Sequence, residues 1–600
     1  MAASACVPGP SVRAFSGRDG PEVPFLAATI STLRDHWRME QRSADALAAD
    51  GKEAFDRGEA ESSRLAFEEA LAKGESAALL EGLARALYLE VRYAESIAAH
   101  ERAFAAYQEE GDPLGAARAA RILAWLYINV FGDFAVAGGW LARADGLLDD
   151  VDEEGVERGW IELTHATREP YTESRVGRLA TALDIGRRAG DPDLRFAALA
   201  RLGETLVMTG RIEEGMVCFD ESLAAACAGE VRDLYVVESV FCGMFLTCER
   251  VHDVVRAEQW LRAAGDLIRR RNILAVGPLC RAHYGGLLTA AGRWEEAEAE
   301  LADAAQVFEG GYAAARAIVL VRLADLRVRQ GRLEEAAALL EGIDQIPDAA
   351  RPLAALHLAR GETALARDVL ERRLEMPSLP TPWPIAPSQP PPPPVAGPLL
   401  ALLVEACLAE GAHQDASAAT ERLAELAEHH PSPNLAACAA LAKGRLCIAT
   451  ASGDARACLR EALAAFSDAQ MPVELARARL ELARAIASEQ PEVAVSEAKM
   501  ALDAFELRRA ARDADLAASL LRSLGAPGRK APKGRAPLTK RETEVLQLLG
   551  HGLSNPEVAE RLFISRKTVE HHVGHILSKL DLRNRAEAAA YATRVGTGNR

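Results

Sequence analysis

Little in this sequence speaks for strands, membranes or covalent chemistry. Aromatic residues make up only 5% of the 600, and no apolar–polar alternation of period two stands out, so β-structure has no visible support. No uninterrupted apolar run reaches the roughly 18 residues that a membrane-spanning helix needs. The N-terminus lacks a basic segment followed by an apolar stretch, so the chain is expected to be soluble and cytoplasmic, without a membrane partner. Ten cysteines are scattered singly from Cys6 to Cys458 without a C-x-x-C pair, which argues against a zinc site or a disulfide framework and for buried thiols. Catalytic spacings are missing as well. The nearest approach to a phosphate-cradling G-x-x-x-x-G-K-[ST] loop, around Gly51 and Lys52, has Ala46 in place of its first glycine and Glu53 after the lysine. No G-x-S-x-G, no H-E-x-x-H and no α/β alternation of a phosphoacceptor domain is found. The expectation is a protein that is not an enzyme and holds no cofactor and no metal.

What is present favours helix. The composition is 49% hydrophobic and 26% charged, which is globular, and 600 residues exceed one ordinary domain. Alanine, leucine, arginine and glutamate dominate, which predicts an all-α protein. From about Ala44 a unit recurs: a helix with a small residue in its second half, a turn with glycine, and a second helix with small residues at set positions. The clearest copies start at Leu202, Tyr284 and Leu323, with Gly203, Gly210 and Gly215; Gly285, Gly292, Ala297 and Ala304; and Ala324, Gly331 and Ala336 at those places. Weaker copies start at Asp50, Leu83 and Leu408. Small residues let antiparallel helices approach closely, and glycine turns the hairpin. The copies resemble the tetratricopeptide repeat. Their irregular spacing predicts a degenerate, right-handed TPR-like α-solenoid whose concave surface docks a protein, peptide or small-molecule ligand, unless it serves only as a spacer.

Composition shifts divide the chain. Residues 1–24, rich in Gly, Pro and Ser, are expected to be disordered, and repeats to occupy 25–376 and 399–524. Between them, PSLPTPWPIAPSQPPPPPVAGP at 377–398 is expected to be an extended or polyproline II loop, because proline lacks an N–H and fixes φ. Residues 525–537 read as a flexible linker whose Arg529, Lys530, Lys533 and Arg535 are able to add phosphate contacts, leaving 538–600 as a separate domain. The sign of charge changes at that boundary. From Arg529 to Arg600 there are 14 Lys and Arg against 7 Asp and Glu, a net +7, whereas the whole chain is −17, so the preceding residues carry −24. A basic tail behind an acidic body is the electrostatic footprint of nucleic-acid binding.

The last segment reads as four short helices. Thr539 and Glu542 have capping-box spacing, followed by Val545, Leu546, Leu548 and Leu549 as the apolar side of a first helix that stops at Gly550 and Gly552. Ser554 or Asn555 caps a second, with Pro556 at its first position and Val558, Ala559 and Leu562 facing inward. After a turn at Phe563–Ser565, a third runs from Ser565 to Leu580 with Val569, Val573, Ile576 and Leu580 on one stripe. Its opposite face carries Lys567, Thr568, His571, Gly574, His575 and Ser578, polar or small enough to approach a phosphate or a base edge. His571 and His575 have the i, i+4 spacing of a metal pair, but no Cys or carboxylate completes a site, and a groove-facing role accounts for them better. Two short helices joined by a tight turn, the second polar outside, form a helix-turn-helix.

These residues resemble the LuxR-type helix-turn-helix domain. The matching positions are Leu538, Thr539, Arg541, Glu542, Glu544, Val545 and Leu546; Gly552, Ser554, Asn555, Glu557, Val558 and Ala559; Leu562, Ile564 and Ser565; Thr568, Val569, His572, Ile576, Lys579 and Leu580; Arg583 and Arg585. The resemblance implies that Glu570, His571 and Gly574, with His575 on the same face, meet base edges. Thr568 and Lys579, with Ser565 and Lys567, would lie on phosphates. In some relatives lysines occupy the Glu570 and Gly574 positions. It further implies double-stranded promoter DNA as partner and a homodimer on DNA through the last helix, Arg585–Arg594, with half-sites roughly 10 base pairs apart. The whole resembles the repeat and DNA-binding parts of large ATP-dependent LuxR-type regulators without their ATPase, and the expected function is sequence-specific transcription regulation. The alternative is a repeat scaffold or adaptor whose C-terminal domain mainly binds protein.

Overall fold

The computed structural model describes residues 43–526 and 540–596, except 150–154, 266, 268–276, 310–312, 376–390, 563, 580–581 and 583. The described residues are helical with no strand, and the chain divides into two compact units, 1–475 and 476–600. The expectations for residues 1–24, for helix beginning near Phe25, for most of the 525–537 linker and for Leu580 fall on residues outside those described.

In the first unit the helices come in antiparallel pairs. The copy that starts at Leu202 is the Pro192–Met208 helix, a turn at Gly210 and the Ile212–Ala228 helix; the Tyr284 copy is Pro278–Ala290 with Trp294–Val307, and the Leu323 copy is Ala313–Gln330 with Leu333–Leu340. The segments between, which match the pattern poorly, are hairpins too: Pro113–Leu126 with Phe134–Leu148, Val156–Arg168 with Glu173–Ala189, Leu234–Val251 with Val254–Ala263, and Pro433–Thr450 with Ala455–Asp468. From Pro113–Leu126 through Pro433–Thr450, the first helix of each pair packs on the first helix of the next, the arrangement of an α-solenoid. Most of the turns place glycine at positive φ; the weak copy that starts at Leu83 has Val91 there, at φ 61°.

The small residues of the pattern have a direct cause. A Cβ added to Gly203 would lie 2.6 Å from the carbonyl oxygen of Gly215, and one added to Gly215 would strike the Gly203 carbonyl. The two helices therefore touch backbone to backbone at this point, with Phe219, Leu223 and Val207 buried alongside. Proline punctuates the starts of helices, where a missing N–H leaves nothing unsatisfied. The Pro393–Ala409 helix takes this further. It begins inside the run expected to be an extended loop, so the loop reading fails for residues 393–398: Pro393 and Pro394 sit in the first turn, which needs no N–H, and Pro398 lies inside the helix at the cost of one backbone hydrogen bond.

A second layer of contacts joins hairpins far apart in sequence. The Tyr88 hydroxyl donates to Glu238 Oε2 at 3.1 Å and Tyr235 donates to the Arg85 carbonyl at 3.3 Å, each across 150 residues. Arg329 reaches Glu474 at 2.6 Å, Arg250 reaches Asp348 at 2.7 Å, and Arg322 reaches Glu249 at 2.6 Å. These side chains lie mostly on the first helices of their pairs, so the inner face of the coil closes on itself through polar contacts. Arg322 and His283 hold the Glu249 carboxyl well below the usual carboxylate range, while burial and Arg322 press His283 down toward its neutral form.

Two expected outcomes follow from this packing. Gly215→Val should lower the urea midpoint by an amount equivalent to about 1–3 kcal/mol; an unchanged midpoint would show that the helices part without cost. Glu238 supplies a pH test. Its enclosure raises the carboxyl to about 7, whereas an unfolded glutamate loses its proton near ~4.3. The folded chain thus holds the extra proton between these values, and stability falls as pH rises through that window. Relative to Glu238→Gln, which cannot ionise, the native chain should lose on the order of 1–3 kcal/mol between pH 5 and pH 8; parallel denaturation curves for the two chains at both pH values would contradict this.

Candidate nucleic-acid interface

Four helices make up the C-terminal part of the second unit: Lys540–Gly550, Asn555–Leu562, Arg566–Lys579 and Arg585–Gly596. Val545, Leu546, Leu549, Val558, Ala559, Val569, Val573, Ile576 and Ala588 form one buried cluster, with Leu562, Ile564 and Tyr591 against it. Leu562 is half-buried. The first and last of these helices pack together, and the third packs on the first and second.

Local chemistry fixes three of the four starts; Thr539, the expected cap of the first helix, lies outside the described residues. Ser554 precedes the second helix, and its N–H and hydroxyl both donate to Glu557 Oε2 at 2.6 Å, which is half of the reciprocal capping box in which an acid three residues on reaches back to the cap. Of the two caps the sequence offers, Ser554 is therefore the one in place, and Pro556 is the second helical residue and not the first as expected, since the helix already begins at Asn555. Ser565 opens the third helix: its Oγ accepts from the Thr568 N–H at 3.1 Å and meets the Thr568 hydroxyl at 2.7 Å. Ser565 and Thr568, expected to contact phosphate, thus also form the cap of the third helix. Asn584 caps the fourth through the Glu587 N–H at 3.0 Å.

Two arginines clamp the second helix from opposite ends. At its C-terminus Arg541 donates to the Leu562 carbonyl at 2.6 Å, an otherwise unpaired helical acceptor, while holding Glu544 at 2.7 Å. At its N-terminus Arg585 donates to Asn555 Oδ1 at 2.5 Å and to the Leu553 carbonyl. Both arginines appear in the sequence only as members of a pattern. Nothing local signals their role, because their acceptors are main-chain or side-chain oxygens 21 to 32 residues away.

The third helix presents its polar side outward. Arg566, Lys567, Thr568, Glu570 and Gly574 are exposed, opposite the buried Val569, Val573 and Ile576. His571, His575 and Lys579 lie on the same helix at positions whose side chains are outside those described. Gly574 leaves open space: a Cβ there meets nothing within 4 Å, so the backbone is free to approach a surface. The first turn carries Arg566 and Lys567 and no acid, which the helix dipole disfavours by about 0.3–1 kcal/mol per charge. Glu570 offsets part of this by pairing with Arg566 at 3.1 Å, on the solvent side. Two cations at a helix N-terminus are better accommodated once an anion such as phosphate lies beside them. Among the described residues no group of three metal-ligating side chains occurs, and no helix is long and apolar enough to cross a membrane.

With this geometry in view, comparison with known proteins is informative for the C-terminal domain. Residues 536–592 match the family of bacterial regulatory proteins, luxR family. The C-terminal domain is accordingly a DNA-binding helix-turn-helix of the LuxR family. The transcriptional regulatory protein LnrK of Bacillus subtilis is 54% identical over 59 residues, 10% of this chain and 27% of that protein. The oxygen regulatory protein NreC of Staphylococcus haemolyticus is 51% identical over 55 residues, 9% of this chain and 25% of that protein. The chain thus spans about a quarter of the curated relatives it matches. Across the repeats, the chain aligns with the crystal structure of yeast Tom70 at 10% identity and a TM-score of 0.28, covering 80% of this chain and 96% of that one. It also aligns with the Cut9–Hcn1 complex of the APC/C at 12% identity and a TM-score of 0.32, covering 84% and 99%. The solenoid rests on its own helix pairing, not on these two.

The clamp is testable without DNA. Arg585→Ala in the full chain should speed amide exchange in the Asn555–Leu562 helix about tenfold or more, the loss expected for charge-assisted hydrogen bonds. Arg566→Ala should leave that helix unchanged. Equal protection in both variants would remove Arg585 from this role.

Proposed function

We propose that the protein is a sequence-specific transcription regulator: the Arg566–Lys579 helix enters the major groove of promoter DNA, and the repeats sense or dock a ligand or partner. The observation that carries this is the LuxR-family match over 536–592 together with the one-sided burial of that helix, apolar inward at Val569, Val573 and Ile576 and polar outward. In this reading Glu570, His571, Gly574 and His575 face base edges, and Ser565, Lys567, Thr568 and Lys579 face phosphates. A carboxylate such as Glu570 is suited to accept from cytosine N4, and His571 and His575 offer both donors and acceptors. The net +7 of residues 529–600 supplies sequence-independent attraction. The C-terminal domain pairs on DNA through its last helix, so a two-fold symmetric site is expected.

Selection of genomic fragments by the full-length chain at physiological salt should recover a palindromic motif; no enriched motif from the chain or from its tail would defeat the proposal. Residue roles separate by salt and sequence. Lys579→Ala should weaken binding to every probe and reduce the salt slope by about 1, whereas His571→Ala should shift base preference. Unchanged affinity of both variants for all probes would remove these assignments.

A further inference from the structure

The inner face of the first unit holds a place where hydrogen-bonding capacity is left over. Arg118, Arg121 and Trp125 lie on the Pro113–Leu126 helix, and Glu157 and Trp160 on the Val156–Arg168 helix packed against it. Glu81 and Arg85 come from Ala77–Leu89. Most of these charges are matched. Arg118 donates to both oxygens of Glu81 at 2.8 and 2.9 Å, and the Tyr107 hydroxyl donates to the same carboxylate at 2.5 Å. Arg85 reaches Asp233 at 3.1 Å.

Arg121 is matched only loosely. Its guanidinium lies over the Trp160 ring, 4.9 Å from the centroid; its Nε forms an ion pair with Glu157 Oε2 at 3.6 Å, longer than a hydrogen bond, and Arg118 faces the other Glu157 oxygen at 3.8 Å. Burial lowers the Arg121 pKa and raises that of Glu157, as for a pair that does not fully offset its own desolvation. Five buried atoms here lack a hydrogen bond: Nε of Arg121 and Oε2 of Glu157, which face each other as the loose ion pair, and, beside them, Nε of Arg85 and both ring nitrogens of His100. Buried polar groups are ordinarily satisfied, so such a concentration calls for a missing partner. The Arg121 and Glu157 side chains keep 13% and 15% of their surface, on atoms other than these five. Flat surfaces adjoin, since the Trp125 ring lies 5.8 Å from Tyr88, itself 4.3 Å from Tyr235.

We propose that this inner surface is the ligand site of the repeats and that it takes a small oxyanion on a flat body, its carboxylate or phosphate seated on Arg121 beside Trp160. The proposal rests on the sensing role assigned to the repeats above and names its ligand class. A guanidinium stacked on an indole keeps its edge free, and that edge offers two parallel N–H groups with the spacing of a carboxylate or phosphate. Glu157 competes for the same edge.

Tryptophan fluorescence and thermal melting of the full-length chain, titrated at millimolar concentration with benzoate, inorganic phosphate and neutral benzamide, test this. A saturable response to benzoate identifies a carboxylate ligand, and one to phosphate a phosphate ligand; benzamide should give none. Arg121→Gln should weaken the response about tenfold or more, and Glu157→Gln, by removing the competing acid, should strengthen it several-fold. Opposite signs separate binding from damaged folding, which would weaken both variants. No saturable response to either anion, an equal response to benzamide, or two variants that shift the same way would overturn the site. DNA affinity of the same preparations is measured alongside: intact DNA binding without an anion response removes this inference alone, and an anion response without DNA binding removes only the promoter reading.

Discussion

Close approach of antiparallel helices is the constraint on which the first unit depends. Where Gly203 and Gly215 face each other, the backbones of two helices touch, and Phe219 and Val207 fill the space beside them. A hairpin packed so closely has one apolar side used up internally and another used by the neighbouring hairpin. What is left on the first helix of each pair points inward. There the sequence places arginine, glutamate, aspartate, histidine and tyrosine, and the coil brings them together: Arg329 with Glu474, Arg250 with Asp348, Arg322 with Glu249 and His283.

Such pairs add little net stability, because desolvation consumes most of the attraction. Their value lies in specificity. A polar group enclosed without its partner is costly, so the inner face tolerates few alternative registers of one hairpin against another. The same economy makes the surroundings of Arg121 informative. Most inner-face charges have partners at hydrogen-bond distance, whereas Arg121 has a tryptophan beneath it and a carboxylate at 3.6 Å.

The C-terminal domain solves a smaller problem by different means. Its helices are short, the second spanning only Asn555–Leu562, and helices of that length do not hold themselves together in water. Ser554, Ser565 and Asn584 cap three starts, and Arg541 and Arg585 tie both ends of the second helix to the rest. The third helix buries its inner stripe of Val569, Val573 and Ile576 and leaves Arg566, Lys567, Thr568, Glu570 and Gly574 exposed. The cations of its first turn oppose the helix dipole in the free domain and suit a phosphate in a complex.

Sequence alone determined the helical class, the turns and the Arg566–Lys579 helix, since each depends on residues near one another: apolar spacing along a helix, small residues at hairpin contacts, capping side chains three residues from their acceptors. It misjudged residues 393–398, where the first prolines suit a helix start, and it passed over hairpins such as Val156–Arg168 with Glu173–Ala189, although these helices too approach their neighbours closely at Gly159 and Gly186. The inner polar surface, the Arg541 and Arg585 clamps and the loosely matched Arg121 were decided only by tertiary structure. Their partners lie from 21 to 150 residues away or on neighbouring helices, and no local pattern in a sequence records which distant charges a coil will bring face to face.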